Sequence, residues 1–588
     1  MKPLDLRFVL SLTLAITATV PLFAAEAPDA RFRRLLDDAW EFSMREFPTF
    51  ATRAGDNRYN GRLASNTIAD HQRRAKANRA FLARLEAIDR EKLSAIDQVN
   101  HAVFGQQIRT NITEYEFDAH LMPITNRSGF HIYFPALRRI VPLDSVKDYE
   151  NYIARLNAFD RYAAQNIDLM RAGMKKGLVL PAVVLEGYRK PVTTHIVDDP
   201  TKSLLHEPFT KFPDAINQAD RKRLAESGRR AISEGVVPGY RRFLKFMQDE
   251  YVPAARGPIG ASAMPRGRAF YRHRVKRFTT LDLTPQQVHD TGLAEVGRIR
   301  AEMLTIIKKV GFKGDMAAFV KHLRTDPKFY AKTPKQLLKE TAYVLKEMDG
   351  KLPKLFGKLP RTPYGIREVP SYIAPQTTTA YYESPTGGGR TAGFYYVNTY
   401  KLDSRPLYGV EALSLHEAVP GHHLQLALQQ ELEGLPKFRR YASFTVYIEG
   451  WALYAERLGL EVGFYQDPYS DYGRLTYEMW RACRLVVDTG MHYFGWTRGQ
   501  AIDFMAQNTA LSIHNITAEV DRYISWPGQA LAYKIGELKI RQLRAMAEKR
   551  LGKRFDIRTF HDVVLGSGSV PLTVLEDNVK AYVERTAK

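Results

Sequence analysis

The stretch HEAVPGHH, residues 416–423, puts three histidines and a glutamate within eight positions of a chain that holds 15 histidines in all. Imidazole nitrogens and carboxylate oxygens are the usual ligands of hydrolytic zinc, and the helix of a zinc peptidase reads His-Glu-x-x-His, its two histidines one turn apart. Here the residue four after His416 is Pro420, and the next histidines are His422 and His423. In an unbroken α-helix His416 and His422 would stand about 240° apart around the axis and about 9 Å apart along it, while His423 would return to the same face about 10 Å away. Neither could share one ion with His416 at bond lengths of about 2 Å. A metal site therefore requires a break between Glu417 and His422. Val419-Pro420-Gly421 suits one, because proline removes a helical hydrogen bond and glycine relaxes the backbone. The competing expectation is a helix–turn–helix carrying core or surface histidines.

A second signal lies in YIEGWALYAERLGL, residues 447–460. Its helical spacing puts Glu449 and Glu456, seven residues apart, on one face. A carboxylate among Ala, Leu and Trp is costly to bury unless it is paired or bound to metal. Glu449, followed by the closely packable Gly450-Trp451-Ala452, fits a third ligand; Glu456 fits a buried ion pair. The ligand set that the spacing allows is His416, Glu449 and one of His422 and His423. Zinc is the expected ion, bound with one position open. Glu417, beside a ligand, is the expected general base, taking a proton from water and passing it to the leaving amine.

The motifs HEAVPGHHLQ, EGWALYAE and RYISWPGQALAYKIGELK (522–539) resemble those of the bacterial domain-of-unknown-function 885 family, which is similar in turn to the gluzincin metallopeptidases, the oligopeptidases and thermostable carboxypeptidases above all. The resemblance spans most of the chain after its leader and is sharpest between 390 and 540. Setting the Gly-His-x-Leu of those peptidases on Gly421-His422-His423-Leu424 makes His422 the second ligand. This chain carries two more residues between Glu417 and His422 than their helix does. The resemblance also implies Tyr533, in Tyr-Lys-Ile-Gly, as a donor to the oxyanion, with Tyr523 in reserve. It implies an edge strand that binds extended peptide, here GFYYVNTY (393–400), with Tyr396 and Asn398 nearest the substrate. Arg390 or Arg481 could hold a peptide carboxylate.

The elements that must position these residues read as helices. Thr284-Pro285-Gln286-Gln287, Thr333-Pro334-Lys335-Gln336 and Thr497-x-x-Gln500 pair an N-cap threonine with glutamine three residues on. Long amphipathic stretches cover 66–92 and 146–175. Strand signal is confined to 393–400, after the glycine-rich loop SPTGGGRTA. The expected class is mainly α, a large helical metallopeptidase-like fold with a small β-sheet beside the active-site helix and a central cleft. A glycine- and proline-rich stretch at 255–280 suggests a helical N-terminal lobe over 25–270 and a catalytic lobe over 271–588.

The first residues read differently. Lys2 and Arg7 precede the apolar run FVLSLTLAITATVPLFA, which ends in small residues: a signal peptide over 1–24 and a periplasmic or secreted protein. No cysteine lies near that end, so lipid attachment is not expected, and no later run is long enough to span a bilayer. The only cysteine, Cys483, sits in an apolar helical pattern and reads as a buried thiol. A net charge of +22 spread along the chain fits contact with acidic envelope surfaces rather than nucleic acid. There is no G-x-S-x-G elbow and no P-loop, and His561-Asp562 reads as structural. The functional expectation is zinc-dependent hydrolysis of peptides or oligopeptides. Hydrolysis of non-peptide amides, or peptide or metal binding without cleavage, are the alternatives.

Overall fold

The computed structural model describes residues 27–371, 373–385 and 391–588. The leader and Arg390 lie outside them. Helices form where the capping signals place them. Thr284 Oγ1 accepts from the Gln287 N–H while the Gln287 side chain accepts from the Thr284 N–H, opening helix α1 (Pro285–Lys309). A cap of this kind contributes about 1 kcal/mol. Thr333 caps Pro334–Asp349, and Thr497 with Gln500 opens Arg498–Asn508. The stretch 66–92 becomes Ile68–Glu86, and 146–175 becomes two helices, Val146–Asn157 and Phe159–Lys175.

Six further helices frame the site: α2 (Val410–Glu417), α3 (His422–Glu431), α4 (Thr445–Leu458), α5 (Pro468–His492), α6 (Ile513–Ser525) and α7 (Ala532–Leu551). α5 is the axis of this half. Every residue from Tyr472 to His492 is buried, Cys483 among them. Arg474, Glu478, Arg481, Arg484 and Asp488 recur along it every three or four residues, so a charged stripe runs through the interior and must find partners there. α1 packs on α5 through Gly292, where a Cβ would come within 2.7 Å of Leu485 Cβ.

Three short strands, β1 (Tyr364–Glu368), β2 (Ala380–Glu383) and β3 (Gly393–Val397), form one sheet in the order β1-β3-β2. β3 runs parallel to β1 and antiparallel to β2, with Tyr381 opposite Tyr396. The fold is thus mainly α with a small sheet, as the sequence suggests.

One apolar core runs from Leu63 to Val583 and crosses the division expected near 270. The glycine- and proline-rich stretch leads into helix Gly267–Thr279, whose Tyr271 and Val275 belong to that core. Among the described residues, no helix is long and apolar enough to cross a membrane.

Candidate metal centre

The helix carrying His416 ends one residue after it, at Glu417. Ala418 (φ −108°, ψ −99°) and Gly421 (φ −77°, ψ −125°) turn the chain, the Val419–Pro420 bond is cis, and α3 restarts at His422. Gly421 is obligatory here, because a Cβ on it would lie 1.9 Å from the carbonyl oxygen of His416. The carbonyl freed at Pro420 accepts a hydrogen bond from Trp451 Nε1 at 2.8 Å, so α4 seals the break.

The break brings His416 and His422 together, their rings 4.7 Å apart and nearly perpendicular. Glu449 completes the group: its Oε2 lies 3.6 Å from His416 Nε2 and 3.4 Å from His422 Nε2. One ligand atom from each of the three lies within 4.8 Å of the others, the spread expected around a single ion. The other nitrogen of His416, Nδ1, is 2.8 Å from Glu456 Oε1. A carboxylate can only accept, so Nδ1 carries a proton, which would leave Nε2 as the nitrogen to ligate an ion, the carboxylate–histidine pairing that orients metal ligands. Arg481 in turn holds Glu456 Oε1 at 3.0 Å. The two carboxylates expected on one face of α4 thus address the two nitrogens of one ring.

His423 is excluded from this group. Its Nε2–H donates to the carbonyl of Thr362 at 3.0 Å and its Nδ1 accepts from the Tyr382 hydroxyl at 2.8 Å, which ties α3 to the sheet.

The residues present fit a metal ion. Glu449 Oε2, which faces both imidazoles, is buried without a hydrogen-bond partner, and so is His422 Nδ1. An orphaned acceptor between two imidazoles calls for a cation. Burial works against the charged form of His416, yet the Glu449 and Glu456 carboxylates beside it push it up to about 9. Burial would raise the Glu449 carboxyl, and the two histidines more than reverse that, holding it well below its usual range.

The group opens into a cavity of about 350 Å³, shared with Glu417, Tyr533, Arg127, Arg481, Arg484 and Arg522 among others. Glu417 is buried, and burial pushes its carboxyl upward, the direction a general base near neutral pH requires. Tyr533 reaches the cavity because α4 and α7 cross on two glycines: a Cβ on Gly536 would sit 2.0 Å from the carbonyl of Val446, and one on Gly450 2.5 Å from Gly536. Burial first, and then the Glu449 charge, push its phenol above the usual range and keep it a neutral donor.

Several sequence expectations are corrected. Tyr523 does not line the cavity; its hydroxyl donates to Glu519 Oε2 and accepts from Trp480 Nε1 and Arg484 Nε. Tyr396 and Asn398 are buried within the sheet rather than presented to substrate. Tyr396 stacks on Tyr381, ring centroids 4.7 Å apart. Asn398 Nδ2 lies 2.9 Å from the carbonyls of Ala374, Thr377 and Thr378. The physical reason is strand order: β3 is the central strand, so it has no free edge. The edge strand on the cavity is β2, with Thr378 to Tyr382 along the wall. Arg481 lines the cavity and is held by Glu456 and the Tyr477 carbonyl, its charge paired with Glu456, though its Nε is buried without a hydrogen bond. His561 is structural as read, bonded to the Leu355 carbonyl and to Tyr454.

Sequence reasoning missed the arginines around Glu519. Glu519 Oε2 lies 2.9 Å from both Arg484 Nη2 and Arg522 Nη2, and its Oε1 lies 3.3 Å from Arg127 Nη1. The available signal was Arg481 and Arg484, three residues apart inside the apolar pattern around Cys483.

The sequence matches a family described as bacterial protein of unknown function (DUF885) over residues 48–579. Among solved structures, a candidate lipoprotein from Colwellia psychrerythraea is 30% identical, with a TM-score of 0.90 over 95% of this chain and 100% of its own. A candidate lipoprotein of unknown function from Shewanella oneidensis shares the fold at 18% identity, with a TM-score of 0.68 over 94% of this chain and 99% of its own. No curated protein matches. With the family matched over nine-tenths of its length, the chain belongs to the bacterial DUF885 family.

Proposed function

We propose that the protein is an exported zinc-dependent hydrolase that cleaves amide bonds in peptides, of gluzincin type. The observation that carries this reading is the triad His416–His422–Glu449, its histidines buried, with Glu417 beside it in one cavity. His416, His422 and Glu449 would hold the ion. Bound there, zinc supplies a Lewis acid for the scissile carbonyl and makes nearby water acidic. Glu417 accepts the proton of the attacking water and returns it to the leaving nitrogen. Tyr533 donates its phenolic hydrogen to the oxygen of the tetrahedral centre. The free edge of β2 offers backbone groups to an extended substrate, the role that the sequence placed on β3. Export is supported by the leader-like residues 1–24 and by neighbours described as candidate lipoproteins.

The test is cleavage of a mixed peptide library, read by mass spectrometry, for wild type and Glu417→Gln loaded with zinc. Wild type is expected to cut, and the variant to keep its metal while losing roughly 10³-fold or more in rate. Equal turnover by the two proteins would sink the mechanism. A wild type that binds zinc but cuts no peptide would shift the reading to non-peptide amides.

A further inference from the structure

We infer that the cavity beside the triad contains a carboxylate-binding subsite, built by Arg127, Arg484 and Arg522 around Glu519; this rests on the hydrolase reading and specifies its substrate class. Three guanidinium groups share the one carboxylate of Glu519, which is fully buried. Two positive charges are left without a carboxylate. The remaining bonds of these arginines go to neutral acceptors: Arg127 to the Ala518 carbonyl at 2.8 Å, Arg522 to Gln529 Oε1 at 2.6 Å and Arg484 to the Tyr523 hydroxyl at 2.8 Å.

Two donors have no partner at all. Arg484 Nη1 and Arg522 Nε are buried without a hydrogen bond, and the Arg484 side chain is only 4% exposed. A buried, unpaired guanidinium N–H is expensive, and a carboxylate carries two oxygens that can accept from such donors, here one on each of two arginines. The Arg484 guanidinium is held in place, because it lies over the rings of Tyr533 at 4.1 Å and Trp480 at 4.4 Å. All three arginines line the cavity that also holds Glu417 and the triad. At about 350 Å³ this cavity lies at the small end of ligand sites, so the carboxylate it takes sits close to the bond being cut. The substrate is therefore a peptide, or an N-acylated amino acid, with a free carboxylate adjacent to its scissile amide. That carboxylate comes either from the chain terminus or from an acidic side chain, and the arms of the experiment separate the two.

Binding is measured by calorimetry on the full chain without added metal, so that it does not depend on turnover. Three N-acetylated peptides are compared: one with a free terminal carboxylate, the same peptide as its amide, and an amide whose last residue is Glu. The acid is expected to bind roughly 30-fold more tightly than its amide, the scale of one charge-assisted hydrogen bond. Arg127→Gln and Arg522→Lys should each reduce that ratio to about 3-fold or less while keeping the thermal midpoint; Arg127 is partly exposed, so its variant folds even where a change at Arg484 does not. A Glu-ended amide that binds like the acid would assign the carboxylate to a side chain. Equal binding of acid and amide, no binding by either, or a ratio unmoved in both variants would overturn the subsite. Turnover of the same peptides with zinc separates the two claims. Glu417-dependent cleavage without acid preference leaves the hydrolase and removes the subsite. Acid-selective binding without any cleavage does the reverse.

Discussion

Tyr533 and Lys534 are neighbours on α7, and they face two buried charge clusters of opposite design. Lys534 Nζ lies 2.9 to 3.0 Å from Glu295, Glu478 and Glu537, and Arg298 and Arg474 close on the same carboxylates. Each cation there meets at least one acid, and burial is offset by pairing. Tyr533 faces the other cluster, where Glu449 Oε2, His422 Nδ1, Arg484 Nη1 and Arg522 Nε lack partners and three arginines share one glutamate. The first cluster is complete in charge without a ligand: even Glu537 Oε2, which lacks a hydrogen bond, lies 2.9 Å from Lys534 Nζ. The second is incomplete, and under the proposed function a cation at the triad and an anion at the arginines complete it. Buried atoms without a hydrogen bond occur elsewhere in the chain; what sets the site apart is that unpaired acceptors and donors belong to residues lining one cavity.

Breaking the complete cluster should cost stability and spare the site's chemistry. Lys534→Met removes the cation that three carboxylates share and should destabilise the fold by about 3–5 kcal/mol. Urea unfolding reads the loss, and zinc stoichiometry at low temperature should be unchanged. A variant of wild-type stability would show that the network holds nothing together.

Breaking the incomplete cluster should do the opposite. Glu456→Gln keeps the size of the side chain that orients His416 but removes its charge, and should weaken zinc binding by roughly 10–100-fold. Competition with a metal chelator measures it. Unaltered affinity would mean that Glu456 serves the fold alone.

Asp488, two turns further along α5 than Arg481, sharpens the contrast from a third position. Its hydrogen bonds come from neutral donors, the Tyr271 hydroxyl at 2.6 Å and the Gly528 N–H. Burial pushes its carboxyl up to about 7, against those bonds. The folded state therefore holds the proton more tightly than the unfolded chain does. The stability this adds is fully present below about pH 4 and is lost as pH rises through about 7, at no more than about 1.4 kcal/mol per unit. Asp488→Asn should flatten the slope of unfolding free energy between pH 5 and 6.5; an unchanged slope would place the titration elsewhere.

Much of this was legible in the sequence because it is local. The Thr-Pro-x-Gln caps need only adjacent residues, and Pro420-Gly421 announces its own break. Glu449 and Glu456 share a helix face by spacing alone. What depends on pairing between distant segments was not legible. The strand at 393–397 was read correctly, yet its position inside the sheet is set by residues 364–368 and 380–383, so Tyr396 and Asn398 were misassigned. Arg127 reaches Glu519 across 392 residues of sequence, a meeting that no local pattern records. His422 was separated from His423 by the resemblance, and in the structure by the hydrogen bonds that occupy both nitrogens of His423.

The most direct measurement is the zinc content of the purified chain after dialysis, for wild type, His422→Ala and His423→Ala. One ion per chain in wild type and in His423→Ala, with none in His422→Ala, is the predicted result. A wild type that retains no zinc, or a His422→Ala variant that still holds one, would contradict the assignment of His416, His422 and Glu449 as the metal centre.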